Sequence, residues 1–277
     1  MQTDTAARST DTRYITRPEG RVAYDVDGDG PLVVLVPGMG DLRATFRFIA
    51  PVLRTAGHRV AVADLRGQGD SDATFATYGD VETSGDIVAL IEELGGPAVI
   101  VGNSMGAAVG VIAAAERPDL VRGLVLIDPF VRNGKVSTMM RLVQRVAMAP
   151  LWAPLVWKAY LPKLYAGRRP DDFDAYRNQV VASLRRPGYA RSFSRTTHTS
   201  HDPAEARLAE VNTPTLVVMG EKDPDFPDPK AEAAWIAGVL RGDVVMVPDA
   251  GHYPQSQQPE VTGAAVLQFL DTVGERA

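Results

Sequence analysis

Cysteine is absent from this chain. That single lack excludes disulfides, thiolate nucleophiles, iron–sulfur clusters and cysteine-held zinc together. It also fits a reducing compartment, so the cytoplasm is the expected location. A bias of charge is lacking too: 29 Lys and Arg stand against 34 Asp and Glu, a formal net charge of −5. Nucleic acid would require a clustered basic footprint and is not expected as a partner. Residues 1–16 hold no apolar run of the kind a secretory leader needs, and residues 1–12 read as a disordered tail. From Leu94 to Ala115 no residue is charged, which is long enough to span a bilayer. The stretch opens on Gly95-Gly96-Pro97 and carries Asn103 and Ser104 near its middle, so it reads as strand, turn and helix.

Six short apolar runs are present: Leu32–Val36, Val60–Ala63, Ala98–Val101, Leu124–Ile127, Thr215–Met219 and Val244–Val247. They are rich in Val and Ile and mostly continuous, the pattern of strands buried on both faces of a parallel sheet. Between them Ile87, Leu90, Ile91 and Leu94 recur at helical spacing, as do Val266, Phe269, Leu270 and Val273. The alternation predicts an α/β fold with a mostly parallel central sheet and helices on both faces. Arg13–Asp27 reads as one or two leading antiparallel strands around Pro18-Glu19-Gly20.

The rhythm fails between Asp128 and Thr213, where no strand run occurs. A structureless loop of that length is improbable in a compact domain. The segment is rich in Met, Trp, Tyr and Leu and is punctuated by Pro150, Pro154, Pro162, Pro170 and Pro187, as expected for short helices. We therefore expect a core over residues 13–129 and 210–277 interrupted by a helical cap over 130–209.

The residues with the most specific chemistry are Gly102-Asn103-Ser104-Met105-Gly106, directly after one apolar run and before the small-residue stretch Ala107–Ala115. This is G-x-S-x-G in strand–turn–helix context. The turn is so sharp that only small residues fit two places either side of the serine, and the serine is left at the carboxyl end of the sheet, where open α/β folds hold ligands. A serine hydroxyl needs a positioned base. Of four histidines, His58 begins a strand, and His198 and His201 lie in the cap, where their spacing admits a metal pair supported only by Asp202. His252 follows the last apolar run in Gly251-His252-Tyr253, so a short loop can carry its imidazole over the sheet edge. We take it as the base.

The base needs an orienting carboxylate. Asp223 follows the run Thr215–Met219 and precedes His252 by 29 positions, room for one helix and one strand. Glu221 on the same loop and Asp128 at the end of Leu124–Ile127 are its competitors. Oxyanion donors are expected from the backbone N–H groups of Met105 and of Met39, the latter within Pro37-Gly38-Met39-Gly40. No metal is assigned.

These motifs, together with Asp64-Leu65-Arg66-Gly67-Gln68-Gly69-Asp70-Ser71, resemble the α/β-hydrolase fold over nearly the whole chain outside the tail and cap. Pro37-Gly38 stands where that family often has His-Gly; backbone donors survive the change. The resemblance implies a cofactor-independent hydrolase with Ser104 as nucleophile, His252 as base and Asp223 as acid, the Asp64–Ser71 stretch being structural. The expected reaction is cleavage of an ester-like bond through an acyl-enzyme. Carbon–carbon bond hydrolase, lactonase, thioesterase or perhydrolase-type chemistry can use the same three residues, and a weakly catalytic ligand receptor is the rival outside catalysis. Phe130, Trp152, Trp157 and Tyr253 are the expected lining of a pocket for a small to medium apolar molecule.

Overall fold

Strands form where β-branched runs can bury both faces, and the sheet is built on one such run. The computed structural model describes residues 11–134 and 138–274. A hairpin comes first, β1 (Arg13–Arg17) and β2 (Gly20–Asp27), paired antiparallel across the turn at Pro18 and Glu19. β3 (Leu32–Val36), helix α1 (Ile49–Thr55), β4 (Arg59–Ala63), α2 (Asp80–Glu93), β5 (Ala98–Asn103), α3 (Met105–Glu116) and β6 (Val121–Ile127) then alternate. Five helices follow without a strand: α4 (Thr138–Ala147), α5 (Ala153–Leu164), α6 (Phe173–Leu184), α7 (Tyr189–Thr196) and α8 (Asp202–Arg207). The chain closes with β7 (Thr215–Gly220), α9 (Pro229–Leu240), β8 (Asp243–Val247), α10 (Pro254–Gln257) and α11 (Pro259–Gly274).

The eight strands lie in the order β1-β2-β4-β3-β5-β6-β7-β8. β2 runs antiparallel to β4, and every pair from β4 to β8 is parallel. The mostly parallel α/β architecture expected from the apolar runs is therefore the fold. β3 shows the logic of the continuous run: Val33 and Leu35 pack on one side with Ile49, Leu53 and Phe269, while Val34 and Val36 face Leu90, Val109 and Ile112 on the other. Two helical layers thus sandwich the sheet. β6 starts three residues before its apolar run: Arg122 and Gly123 interrupt the pattern, and the register with β5 shifts there, Ala98 lying opposite Val121 and Val99 opposite Gly123. Of the tail expected over residues 1–12, residues 1–10 lie outside the described ones. Thr12 is already held, with its hydroxyl donating to Asp25 and accepting from Arg43.

α5, α6 and α7 bury a core of their own, with Trp157, Leu161, Tyr165, Phe173 and Phe193 at its centre and Tyr253 contributed from the loop after β8. Tyr165 and Tyr253 stack at 4.7 Å between ring centroids. Four of the five prolines act as punctuation, but Pro162 sits inside α5, three residues from its C-terminal end. There the helix loses one hydrogen bond and little else. Among the described residues no helix is long and apolar enough to cross a membrane.

Leu35 is completely buried, and Leu151 is 84% exposed. Leu35→Ala is expected to lose about 2–5 kcal/mol of unfolding free energy, the cost of a core cavity. Leu151→Ala should stay within about 0.5 kcal/mol, as surface changes do. Urea unfolding of both variants checks the pair.

Candidate active site

The turn from β5 to α3 puts Ser104 in a backbone conformation that side chains avoid, φ 55° and ψ −119°. Such strain costs about 1–3 kcal/mol and persists only where surroundings hold it. Here the Ser104 N–H donates to Ile127 O at 2.9 Å, and the Ser104 carbonyl accepts from Ala107 N–H at 3.0 Å and Phe130 N–H at 3.3 Å. The flanking glycines are required sterically. A Cβ on Gly102 would strike the Gly106 carbonyl, and one on Gly106 would strike Val36 O. A Cβ on Gly38 would lie 2.9 Å from Ser104 Cβ, so the loop after β3 passes directly over the serine.

The loops after β6, β7 and β8 deliver three titratable groups to one buried spot. His252 Nδ1 lies 2.7 Å from Asp223 Oδ2, and both side chains are almost wholly buried. Asp128 is the third member, with its carboxylate, Asp223 and His252 offering atoms within 4.8 Å of one another. Three such groups can hold a cation in principle, and the 2.7 Å contact between Asp223 and His252 has the length of a hydrogen bond. Burial opposes ionisation of Asp223, yet the charge and hydrogen bond of His252 and the hydrogen bond of Asp128 outweigh it and hold its pKa low. Burial likewise opposes a charge on His252, and Asp223 outweighs it, with help from Asp225 and Asp41, so the imidazole pKa is raised. For Asp128 burial and the neighbouring Asp223 charge act together, and its pKa lies well above the carboxylate range. The two carboxyls are therefore pushed apart, Asp128 upward and Asp223 downward. Asp128 Oδ1 accepts from Gly220 N–H at 3.0 Å, and its Oδ2 is buried without a hydrogen-bond partner among the described residues.

Two backbone donors belong to segments that border Ser104. Met105 opens α3, so its amide lies at the positive end of the helix. The amides of Met39 and Met105 make no hydrogen bond among the described residues. The loop carrying Met39 is clamped by Gln68, whose Oε1 accepts from Gly40 N–H at 2.7 Å and Asp41 N–H at 3.2 Å. Asp41 beside it accepts a hydrogen bond from Tyr176 and is fully buried, which pushes its pKa up to about 7. Asn103, inside the elbow motif, donates to Ile127 O and His252 O, both at 3.1 Å, and so ties the histidine loop to the serine turn.

Phe130 lies edge-on to His252 at 5.6 Å and against Phe226 at 5.0 Å. Trp157 is buried and donates from Nε1 to Gly40 O at 2.8 Å, and Tyr253 is buried against Tyr165 and His252. Trp152 is different: it is exposed, and its Nε1 donates to Val146 O at 2.7 Å within the insertion. Glu221 is exposed at the start of its loop. His58 lies at the opposite end of the sheet, His198 is exposed, and His201 is engaged by Asp80 at 2.7 Å. Gln68, Asn103, Phe226 and the Asp128–Asp223 pair are the parts that motif reading does not single out; Gln68 and Asn103 did stand inside recognised motifs.

The model of the alpha/beta hydrolase family matches residues 33–265, and the chain belongs to that family. It is 32% identical to the 2-(acetamidomethylene)succinate hydrolase of Mesorhizobium japonicum over 286 residues, 97% of this chain and 99% of that protein. It is 27% identical to the pyrrolizixenacetamide deacetylase of Xenorhabdus hominickii, over 91% of this chain and 95% of that one. The crystal structure of a bromoperoxidase from Bacillus anthracis superposes with a TM-score of 0.82 at 18% identity, covering 94% and 99% of the two chains. Hydrolysis is the activity its curated relatives support.

His252 is expected to titrate above about 6.5, the value of a free imidazole. In Asp223→Asn the largest favourable partner of the charged form is gone while burial remains, so the pKa should fall. NMR titration of the ring protons reads both, and an unchanged value in the variant would contradict the assignment.

Proposed function

We propose that the protein is a serine hydrolase that cleaves ester-like acyl bonds of small to medium, largely apolar substrates through a covalent acyl-enzyme. The observation that carries this reading is the buried 2.7 Å contact between His252 Nδ1 and Asp223 Oδ2, on loops that end beside the strained Ser104. His252 takes the proton of Ser104 through its other ring nitrogen, and the alkoxide attacks the acyl carbon. The N–H groups of Met39 and Met105 receive the negative charge that develops on the acyl oxygen. His252 then returns the proton to the leaving group. Water, deprotonated by the same imidazole, releases the acid and restores Ser104. Asp223 stays ionised and holds the tautomer, while Asp128 stays neutral and shares its proton with Asp223. Phe130, Phe226 and Trp157 supply apolar and aromatic walls.

A second reading, hydrolysis of an acetamide group, is favoured by the activities of two relatives, the 2-(acetamidomethylene)succinate hydrolase and the pyrrolizixenacetamide deacetylase. The same residues would perform it, with His252⁺ protonating a leaving nitrogen.

A panel of p-nitrophenyl esters of graded acyl length, run beside p-nitroacetanilide, separates the two readings. Ester turnover should exceed anilide turnover under the first and not under the second. Ser104→Ala should reduce kcat by about 10³-fold or more, and unchanged turnover would end the nucleophile assignment. Asp223→Asn should cost about 10⁴ in kcat, as loss of the correct tautomer does. Asp128→Asn retains a donor toward Asp223 and should stay within about tenfold of wild type. The reverse order would make Asp128 the orienting acid. For wild type, kcat/KM should rise with pH through the raised pKa of His252, because only the neutral imidazole accepts the serine proton.

A further inference from the structure

α4 presents its apolar side to water. Met139, Leu142, Val143 and Val146 recur at i, i+3, i+4 and i+7, and each is more than half exposed. Leu151 and Leu155 continue the patch into α5, and Trp152 links the two helices through Val146 O. A patch of this kind on one chain marks an interaction surface.

Charge decides what covers it. From Pro129 to Pro170 the sequence holds eight of the chain's 29 Lys and Arg residues and none of its 34 Asp and Glu. The protein as a whole is acidic, so this segment is the exception. Arg145 lies three places from Leu142 on α4, and Lys158 three places from Leu155 on α5, so each cation sits beside the apolar stripe of its own helix. Arg145, Lys158 and Lys163 are exposed and make no ion pair among the described residues. A second copy of the chain is a poor occupant, because a twofold interface apposes the same patch and would set cations against cations. A surface that is apolar inside and anionic at its face satisfies both features.

We propose that the face formed by α4 and the start of α5 docks onto an anionic lipid surface. The helix lies in the plane of the headgroups with its apolar stripe inserted, and Arg145, Lys158 and Lys163 contact lipid phosphates. It does not span the bilayer. The inference stands apart from the ester reading, since it needs no turnover.

The test is flotation of the full chain with vesicles of phosphatidylcholine alone and of an equal mixture with phosphatidylglycerol. Binding is expected to the mixed vesicles, to weaken as salt rises, and to be weak on phosphatidylcholine alone. Each of Arg145→Gln, Lys158→Gln and Lys163→Gln should lower partitioning about fivefold. The double variant Leu142→Ser/Leu151→Ser should lower it further, whereas Val261→Ser, an exposed apolar site on α11, should leave it unchanged. Ser104→Ala should bind as wild type does, which keeps the result independent of catalysis. Equal binding to both vesicle types, or no binding, would overturn the proposal. So would a dimer in sedimentation velocity that Leu142→Ser/Leu151→Ser converts to monomer, which would give the face to a second copy.

Discussion

The site depends on one strained residue. Ser104 holds a left-handed φ of 55° because its N–H is bonded to the end of β6 and its carbonyl to the amides of Ala107 in α3 and Phe130 after β6. Those bonds exist only if β5 and β6 pair in their observed parallel register, with Asn103 opposite Ile127. A slip of one residue would reverse which face each side chain meets and would take the Ile127 carbonyl away. The apolar burial of the central strands on both faces is what makes that register unique. Core packing and elbow geometry are thus one constraint, and the strain, about 1–3 kcal/mol, is small beside the burial that sustains it.

A second balance is electrostatic. Three titratable groups, Asp128, Asp223 and His252, are taken out of water together, and two adjacent carboxylates cannot both ionise cheaply there. The partner decides the outcome. Asp223 faces the imidazole, which favours its charged form, while Asp128, bonded to Gly220 N–H and facing a negative neighbour, has its pKa pushed up. That arrangement favours the charged forms of Asp223 and His252 together, because each faces the opposite charge across their hydrogen bond. Gln68 and Asn103 complete it from the backbone side by tying the Met39 loop and the His252 loop to the rest of the core.

The insertion is attached by aromatic packing at one end and left open at the other. Tyr165 on Tyr253, and Trp157 against Gly40, seat α5 to α7 over the loops that carry the site. Among the described residues α4 has no comparable seat, and Met139, Leu142, Val143 and Val146 face out. One inserted segment therefore both packs on the loops that carry Gly40 and Tyr253 and leaves a cationic, apolar face exposed.

Much of this was legible in the residues. The apolar runs became β3 to β8 with ends shifted by at most three positions, and the G-x-S-x-G turn, the leading hairpin and the helical interruption after Asp128 follow from short-range patterns. Those signals are local: pairing faces, steric demands of a turn and helix periodicity are written within a few residues of each other. What lay beyond them was long-range. That Asp223 and not Glu221 meets His252, and that Asp128, 95 positions before Asp223 in the chain, lies beside them, depends on which strand ends the sheet order places side by side. Trp152 and Trp157 are five residues apart and equally aromatic, yet one is exposed and the other seals the loop beside Ser104. Burial decides between them, and burial is a property of the packed whole.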